Sequence, residues 1–274
     1  MESVNAPLKT HRIGRTALEV TRLGMGCAPL GDLFEVLPDA QAIDAIDAAY
    51  AGGIRFFDTA PWYGTGKSEL RTGFGLRGKA DVVVATKVGR VLTRGGSLQP
   101  SQRWKGGLPF GVIFDYTYAG INRTGLMPKF LERFELDYFI VAMPYTLLSQ
   151  EGLQELDLCR QRGVSVIIGA PFASGLLVSG SSRPATYDYA AAPPEMVEKT
   201  ARLEAVCAAH QVPLPAAALQ FVLAHPAVAS VIPGYNSPGQ AEGCLQWLRT
   251  PIAPEFWEGL RVAGLIDTDA PTPA

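Results

Sequence analysis

No run of apolar residues in the chain approaches the ~20 that a membrane-spanning helix requires; the longest are strand-sized. No block of like charge stands out either. With 24 Lys and Arg against 26 Asp and Glu the net charge is −2, so nothing points to nucleic acid or an anionic membrane as a partner. Histidine is scarce: His11, His210 and His225 are scattered without metal-ligand spacing and read as structural or surface residues. The four cysteines, Cys27, Cys159, Cys207 and Cys244, form no CxxC pair, the usage of reduced residues in a cytoplasmic protein. Met1–Pro7 is short and polar, so no secretory leader is expected.

What is present suits one buried domain over residues 1–274. The 274 residues are 47% hydrophobic and 18% charged, and ~250 residues is typical of a β/α barrel. Around Gly14-Arg15, Lys9–Arg22 reads as a β-hairpin. Strands are expected at Leu23–Met25, Ile54–Asp58, Val82–Lys87, Asp137–Met143, Val164–Gly169 and Val228–Pro233. Helical spacing covers Asp39–Ala51, with Asp39 a candidate cap, and Ser68–Leu76, with Ser68 or Thr65 a candidate cap. Further helices are expected at Gln150–Gly163, Pro194–His210, Pro215–Leu223, Ser237–Leu248 and Pro254–Leu265. The Pro-rich end, Asp267–Ala274, is expected to fray. Strands alternating with helices over short connections mean a parallel α/β fold. One long loop, Val88–Pro109 with Trp104 in it, reads as part of a substrate-side rim.

Two consecutive strands run straight into ionisable residues of opposite charge. Gly53-Ile-Arg-Phe-Phe-Asp58 ends in a carboxylate, and Val82-Val-Val-Ala-Thr86 leads into Lys87. A loop between them carries Tyr63. Ionisable groups at the C-terminal ends of strands are the pattern of a barrel active site. A phenol titrates near 10 by itself, and a neighbouring ammonium favours the phenolate. A carboxylate can hold that ammonium in place. Such a trio suits general acid–base work on a carbonyl or alcohol; the alternative is an ordinary buried ion pair beside a loop tyrosine.

The motifs Gly24-Met-Gly26, Phe57-Asp58-Thr59-Ala60, Tyr63-Gly64, Ser68-Glu69 and Thr86-Lys87 resemble the aldo-keto reductase family over nearly the whole chain. The segments from Trp104, from Phe114 and from Gly169 to Leu177 are similar to its branch of L-fucose, D-threo-aldose and pyridoxal dehydrogenases. The resemblance implies a (β/α)8 barrel in which Asp58, Tyr63 and Lys87 are catalytic. It also implies that about six βα units are present, with an internal deletion near 123–127. Roughly sixty residues, about two units of a ~250-residue barrel, have no counterpart. The family's fourth strand, which carries its catalytic histidine, falls in that gap, and so does the asparagine that binds the nicotinamide carboxamide. None of the three histidines here has the matching context. Three explanations stay open: residues omitted from the written sequence, a deletion within the gene, or a shortened protein with another role.

By the same resemblance, Gly26, Pro171, Phe172, Ser174 and Leu176 lie along the cofactor, and Pro233, Gly234, Asn236 and Gln240 form its adenosine turn. Small residues such as Ser174 and Gly175 let backbone N–H groups approach phosphate, although a Ser-Gly loop after a strand is often only a turn. NADP-preferring members commonly place lysine and arginine where this chain has Gly234 and Gln240, so NAD is expected over NADP. Gly243 and Cys244 stand where a Glu-Asn pair commonly contacts adenine. The expected activity is NAD(P)-dependent hydride transfer to or from a sugar hemiacetal, alcohol or aldehyde in the cytoplasm, with a homo-oligomer left open. Two alternatives remain: a catalytically impaired, cofactor-binding member, and an interaction role with a fixed partner.

Overall fold

A computed structural model of the chain describes residues 8–33, 35–87, 120–121, 123–183, 186–188 and 190–273. In chain order the elements are β1 (Thr10–Arg12), β2 (Glu19–Thr21), β3 (Met25–Gly26), α1 (Asp39–Ala51), β4 (Phe56–Asp58), α2 (Lys67–Gly75), β5 (Val83–Ala85) and β6 (Gly120–Ile121). There follow α3 (Met127–Leu131), β7 (Tyr138–Ala142), α4 (Leu153–Gln161), β8 (Ser165–Gly169), α5 (Leu176–Ser179), β9 (Thr186–Tyr187) and β10 (Ala190–Ala191). The chain closes with α6 (Pro194–Ala209), α7 (Leu214–Ala224), β11 (Val228–Ile232), α8 (Pro238–Arg249) and α9 (Pro254–Val262). Two compact units emerge.

Among the described residues the first unit comprises 8–9, 23–33, 35–87 and 232–245. Its sheet has the order β3-β4-β5, all parallel, with Gly26 opposite Asp58 and Asp58 opposite Ala85. A parallel bridge joins Gly26 to Gly234. Helix α1 buries Ala42, Ala45, Ile46 and Ala49, the i, i+3, i+4, i+7 stripe that its sequence spacing requires. Ile46 packs where α2 has Gly75; a Cβ there would come within 2.6 Å of the isoleucine Cδ1. Two expected caps are corrected. Pro38 takes the N-cap position of α1, and Asp39 lies inside the helix, paired with Arg71. Gly66, left-handed at φ 88, takes the N-cap of α2. Ser68 instead turns its hydroxyl inward to the Cys27 carbonyl at 2.6 Å and the Thr59 hydroxyl at 2.9 Å.

Among the described residues the second unit comprises 10–22, 120–121, 123–183, 186–188, 190–231 and 246–273. Strands β1 and β2 form the expected antiparallel hairpin. The larger sheet has the order β11-β8-β7-β6, with β6, β7 and β8 parallel. Every residue of β8 and β11 is buried, as continuous apolar runs covered on both faces should be. The two-residue strand β6 was not expected from the sequence. The tail departs from expectation as well. Leu265, Ile266 and Ala270 are buried, and the Arg261 guanidinium donates to Ala270 O at 3.2 Å and Thr272 Oγ1 at 2.9 Å. Proline content suggested fraying, but tertiary burial ties this segment down.

Candidate active site

Strand β4 ends in Asp58, whose side chain is 4% exposed. Lys87 lies two residues beyond the end of β5, the parallel neighbour of β4. Its ammonium donates to Asp58 Oδ1 at 2.9 Å, Asp58 Oδ2 at 2.8 Å and the Thr59 carbonyl at 2.9 Å. An ammonium has three donors, so its orientation is fixed. The same nitrogen sits over the Tyr63 ring, 5.1 Å from the centroid, within cation–π range. Burial pushes the Asp58 carboxyl above its ordinary range, outweighing the pull of Lys87. The three residues that the sequence singled out for acid–base work are therefore together in the first unit.

Tyr63 is held through its backbone. Its loop turns on hydrogen bonds from Tyr63 N to Ala60 O at 3.0 Å and from Ser68 N to Tyr63 O at 3.1 Å. The loop rests on a 3-10 turn, Ala28–Gly31, at the end of β3. The contact is glycine against glycine: a Cβ on Gly64 would come within 2.5 Å of Gly31 O. Arg71 then ties that turn to α2. Buried at 5% exposure, it donates to Leu30 O at 2.6 Å, Leu37 O at 2.5 Å, Asp32 Oδ1 at 2.9 Å and Asp39 Oδ1 at 2.8 Å. Lys67 adds an ion pair to Asp32 Oδ2 at 2.5 Å. Burial pushes the Asp32 carboxyl up, but hydrogen bonds from Lys67, Arg71 and the Leu37 N–H outweigh it and hold it below its usual range. The sequence reading missed Arg71. The signal was there, since Ser68, Arg71, Thr72 and Gly75 form the buried face of α2 at helical spacing.

Of the expected cofactor residues, Gly26, Pro233, Gly234, Asn236 and Gln240 belong to the first unit. Gly26 N donates to Pro233 O at 2.8 Å, and a Cβ on Gly234 would meet Pro29 Cγ at 2.7 Å, so the turn is seated closely on the end of β3. Asn236 is fixed three ways. Its N–H donates to Gln240 Oε1 at 2.8 Å, its Nδ2 to Glu35 Oε1 at 2.6 Å, and its carbonyl accepts from Gln41 Nε2 at 2.9 Å. Glu35 and Gln41 carried no motif that sequence reading could use.

Pro171, Phe172, Ser174 and Leu176 belong to the second unit. Phe172 meets the Trp247 ring edge-on, 5.6 Å between centroids. Ala173, Ser174 and Gly175 are successive left-handed residues, and a Cβ on Gly175 would meet nothing within 4 Å. Leu176 is wholly buried, so its side chain belongs to the core and only its backbone is left for a ligand. All three histidines are in this unit too. His225 is buried; its Nδ1 accepts from the Ala227 N–H at 3.1 Å, and Nε2 faces Asp157 at 3.6 Å. Burial holds this ring below its ordinary pKa. Among the described residues no group of His, Cys, Asp and Glu could hold a metal ion, and the four cysteines are free and buried. No single helix among them is long and apolar enough to cross a membrane. The Val88–Pro109 loop with Trp104, and the segment from Phe114, lie outside the described residues.

The sequence profile of the Aldo/keto reductase family matches residues 22–109 and 116–263. Pyridoxal 4-dehydrogenase of Microbacterium luteolum is 33% identical over 331 positions, covering 93% of this chain and 97% of that protein. D-threo-aldose 1-dehydrogenase of a Pseudomonas species is 29% identical, covering 92% and 96%. The 331-position alignment exceeds the 274 residues of the chain, so the relative has residues that this chain does not match. Among solved structures, an aldo-keto reductase of Bacillus halodurans in its holo form superposes with a TM-score of 0.70 at 23% identity, covering 96% of this chain and 98% of that one. A glycerol dehydrogenase of Gluconobacter oxydans gives 0.70 at 18% identity, covering 97% of each. Together these establish an α/β fold of the (β/α)8 barrel type.

Proposed function

We propose, from the premise that the chain belongs to the aldo/keto reductase family, that it is an NAD-dependent dehydrogenase of sugar hemiacetals or related alcohols and aldehydes. Family membership makes it an oxidoreductase with a small-molecule substrate. The finer reading rests on Lys87, whose three donors are spent on Asp58 and Thr59 while its charge lies over Tyr63. Tyr63 would take the proton of the substrate hydroxyl during oxidation and return it during reduction. Lys87 stabilises negative charge on the phenol, and Asp58 holds Lys87 at the right place. Nicotinamide, when bound, supplies hydride acceptance at C4. On this reading the turn at Pro233, Gly234, Asn236 and Gln240 receives the adenosine end, with Gly26 beneath it, and Pro171, Phe172, Ser174 and Leu176 receive the pyrophosphate side. The polar groups fit NAD: the 233–240 turn offers amides, Glu35 bonded to it adds a carboxylate, and the turn has no lysine or arginine for a 2′-phosphate. The names of the two relatives support D-threo-aldose or pyridoxal as the substrate class, and L-fucose is added by the sequence resemblance alone. Residues 1–274 would act as one domain in the cytoplasm.

A second reading, an impaired member that binds cofactor without efficient turnover, is favoured by one observation. No histidine belongs to the unit that contains Asp58, Tyr63 and Lys87. Turnover of L-fucose, D-arabinose and pyridoxal with NAD separates the two. Tyr63→Phe should cut kcat by ~10²–10⁴ and leave NADH binding within a few-fold; near-normal kcat would remove Tyr63 from the mechanism. Turnover that appears only after two further βα units are inserted near 123–127 would establish the impaired reading.

A further inference from the structure

We propose that Glu35 is a specificity-determining residue for the cofactor: its carboxylate accepts the adenosine ribose hydroxyls of NAD and repels the 2′-phosphate of NADP. The inference rests on the reading of the 233–240 turn as the adenosine site. The carboxylate is placed there by the chain itself. Glu35 Oε1 accepts the Asn236 Nδ2–H at 2.6 Å, while Gln41 and Gln240 fix the Asn236 backbone on either side. Glu35 is exposed, and a carboxylate has about four acceptor positions, so one hydrogen bond to Asn236 leaves room for a diol. The turn cannot drift away, because Gly26 and Gly234 are bridged and Pro29 packs against Gly234.

The charges nearby reinforce the sign. Lys67 and Arg71, the cations bound to the neighbouring Asp32, are already paired, and Arg71 also holds Asp39. No ion pair to Glu35 is present among the described residues. A hydroxyl meets this carboxylate as a donor. A phosphate dianion meets it as a like charge that no ion pair among the described residues offsets, and specificity can be built by repulsion as well as by attraction. An acidic residue on the ribose hydroxyls is the solution that dinucleotide-binding sheets reach at a different place in their fold.

The test is direct titration of the full chain with NADH and NADPH, followed by fluorescence, for wild type, Glu35→Gln and Glu35→Ala. Glu35→Gln keeps an acceptor for Asn236 and removes only the charge. The expected result is tighter NADH binding by wild type and a fall of roughly tenfold in the ratio of the NADPH to the NADH dissociation constant in Glu35→Gln. That fall should shrink as salt is raised. NADH binding with an unchanged ratio in both variants overturns the assignment of Glu35 alone. Binding of neither cofactor by folded wild type overturns both the assignment and the adenosine site beneath it.

Discussion

Asp58 and Asp32 are both carboxylates facing cations in the first unit, yet they are displaced in opposite directions. Asp58 is deeply buried and has one cation, Lys87; burial wins and its carboxyl is pushed up. Asp32 is less buried, at 14% side-chain exposure, and receives Lys67, Arg71 and the Leu37 N–H; the partners win and it is pulled down. The count of donors, set against the depth of burial, decides the sign. Asp32 is arranged to stay charged and hold a loop. Asp58 carries a charge at some cost, which is the condition the proposed acid–base role asks of it.

The clearest way to break this comparison is Arg71→Ala. It strips the scaffold pair of its buried cation and leaves Leu30 O and Leu37 O without their donor. A loss of about 3 kcal/mol is expected, the lower end of the range for breaking a buried pair, since Asp39 is itself largely exposed. Urea denaturation would measure it, and an unchanged midpoint would show that Arg71 is not holding the loop.

The titration of the two aspartates sharpens the contrast. Asp32 has a depressed pKa, so its stabilisation is complete above the ordinary carboxylate value near 3.9 and is lost as pH falls through the lower folded value. Asp58 has a raised pKa, so the contribution runs the other way: it is best below that ordinary value and declines as pH rises through the folded one. Thermal unfolding of Asp32→Asn and Asp58→Asn across acid pH should therefore differ from wild type with opposite slopes. Parallel slopes would mean that the two sites share one balance of burial and pairing. The smallest effect expected is that of Lys67→Ala. Its side chain is 45% exposed, and such surface pairs are worth ~0–1 kcal/mol; a larger loss would make Lys67 an equal partner of Arg71.

These contrasts also mark what the sequence could reveal. Asp58 and Lys87 were legible because a strand that runs into a charge leaves a local pattern, and α1 was legible because its apolar stripe repeats with the helix. Arg71 was half legible: its helical face was visible, but the carbonyls it holds, Leu30 and Leu37, are far away in sequence. Glu35 was invisible, because its role depends on Asn236, some two hundred residues later. The C-terminal tail misled for the same reason, since its proline content is local and its burial is not. Caps failed more narrowly: Ser68 had the right chemistry at the right place, but Cys27 and Thr59 offered its hydroxyl a better use.

The contact between Gly31 and Gly64 has a consequence for variation. A Cβ on Gly31 would come within 2.4 Å of Tyr63 C and 2.7 Å of Gly64 N, a Cβ on Gly64 would come within 2.5 Å of Gly31 O, and Gly64 is left-handed at φ 65 as well. Shrinking one side to make room for the other is impossible, because both already carry the smallest side chain there is. No pair of substitutions can compensate, so the two positions form an epistatic dead end. A saturation library screened for turnover should return glycine alone at both, while neighbours such as Leu70, exposed on α2, accept almost any residue. Freedom in the sequence around Tyr63 is thus expected to be graded by backbone proximity.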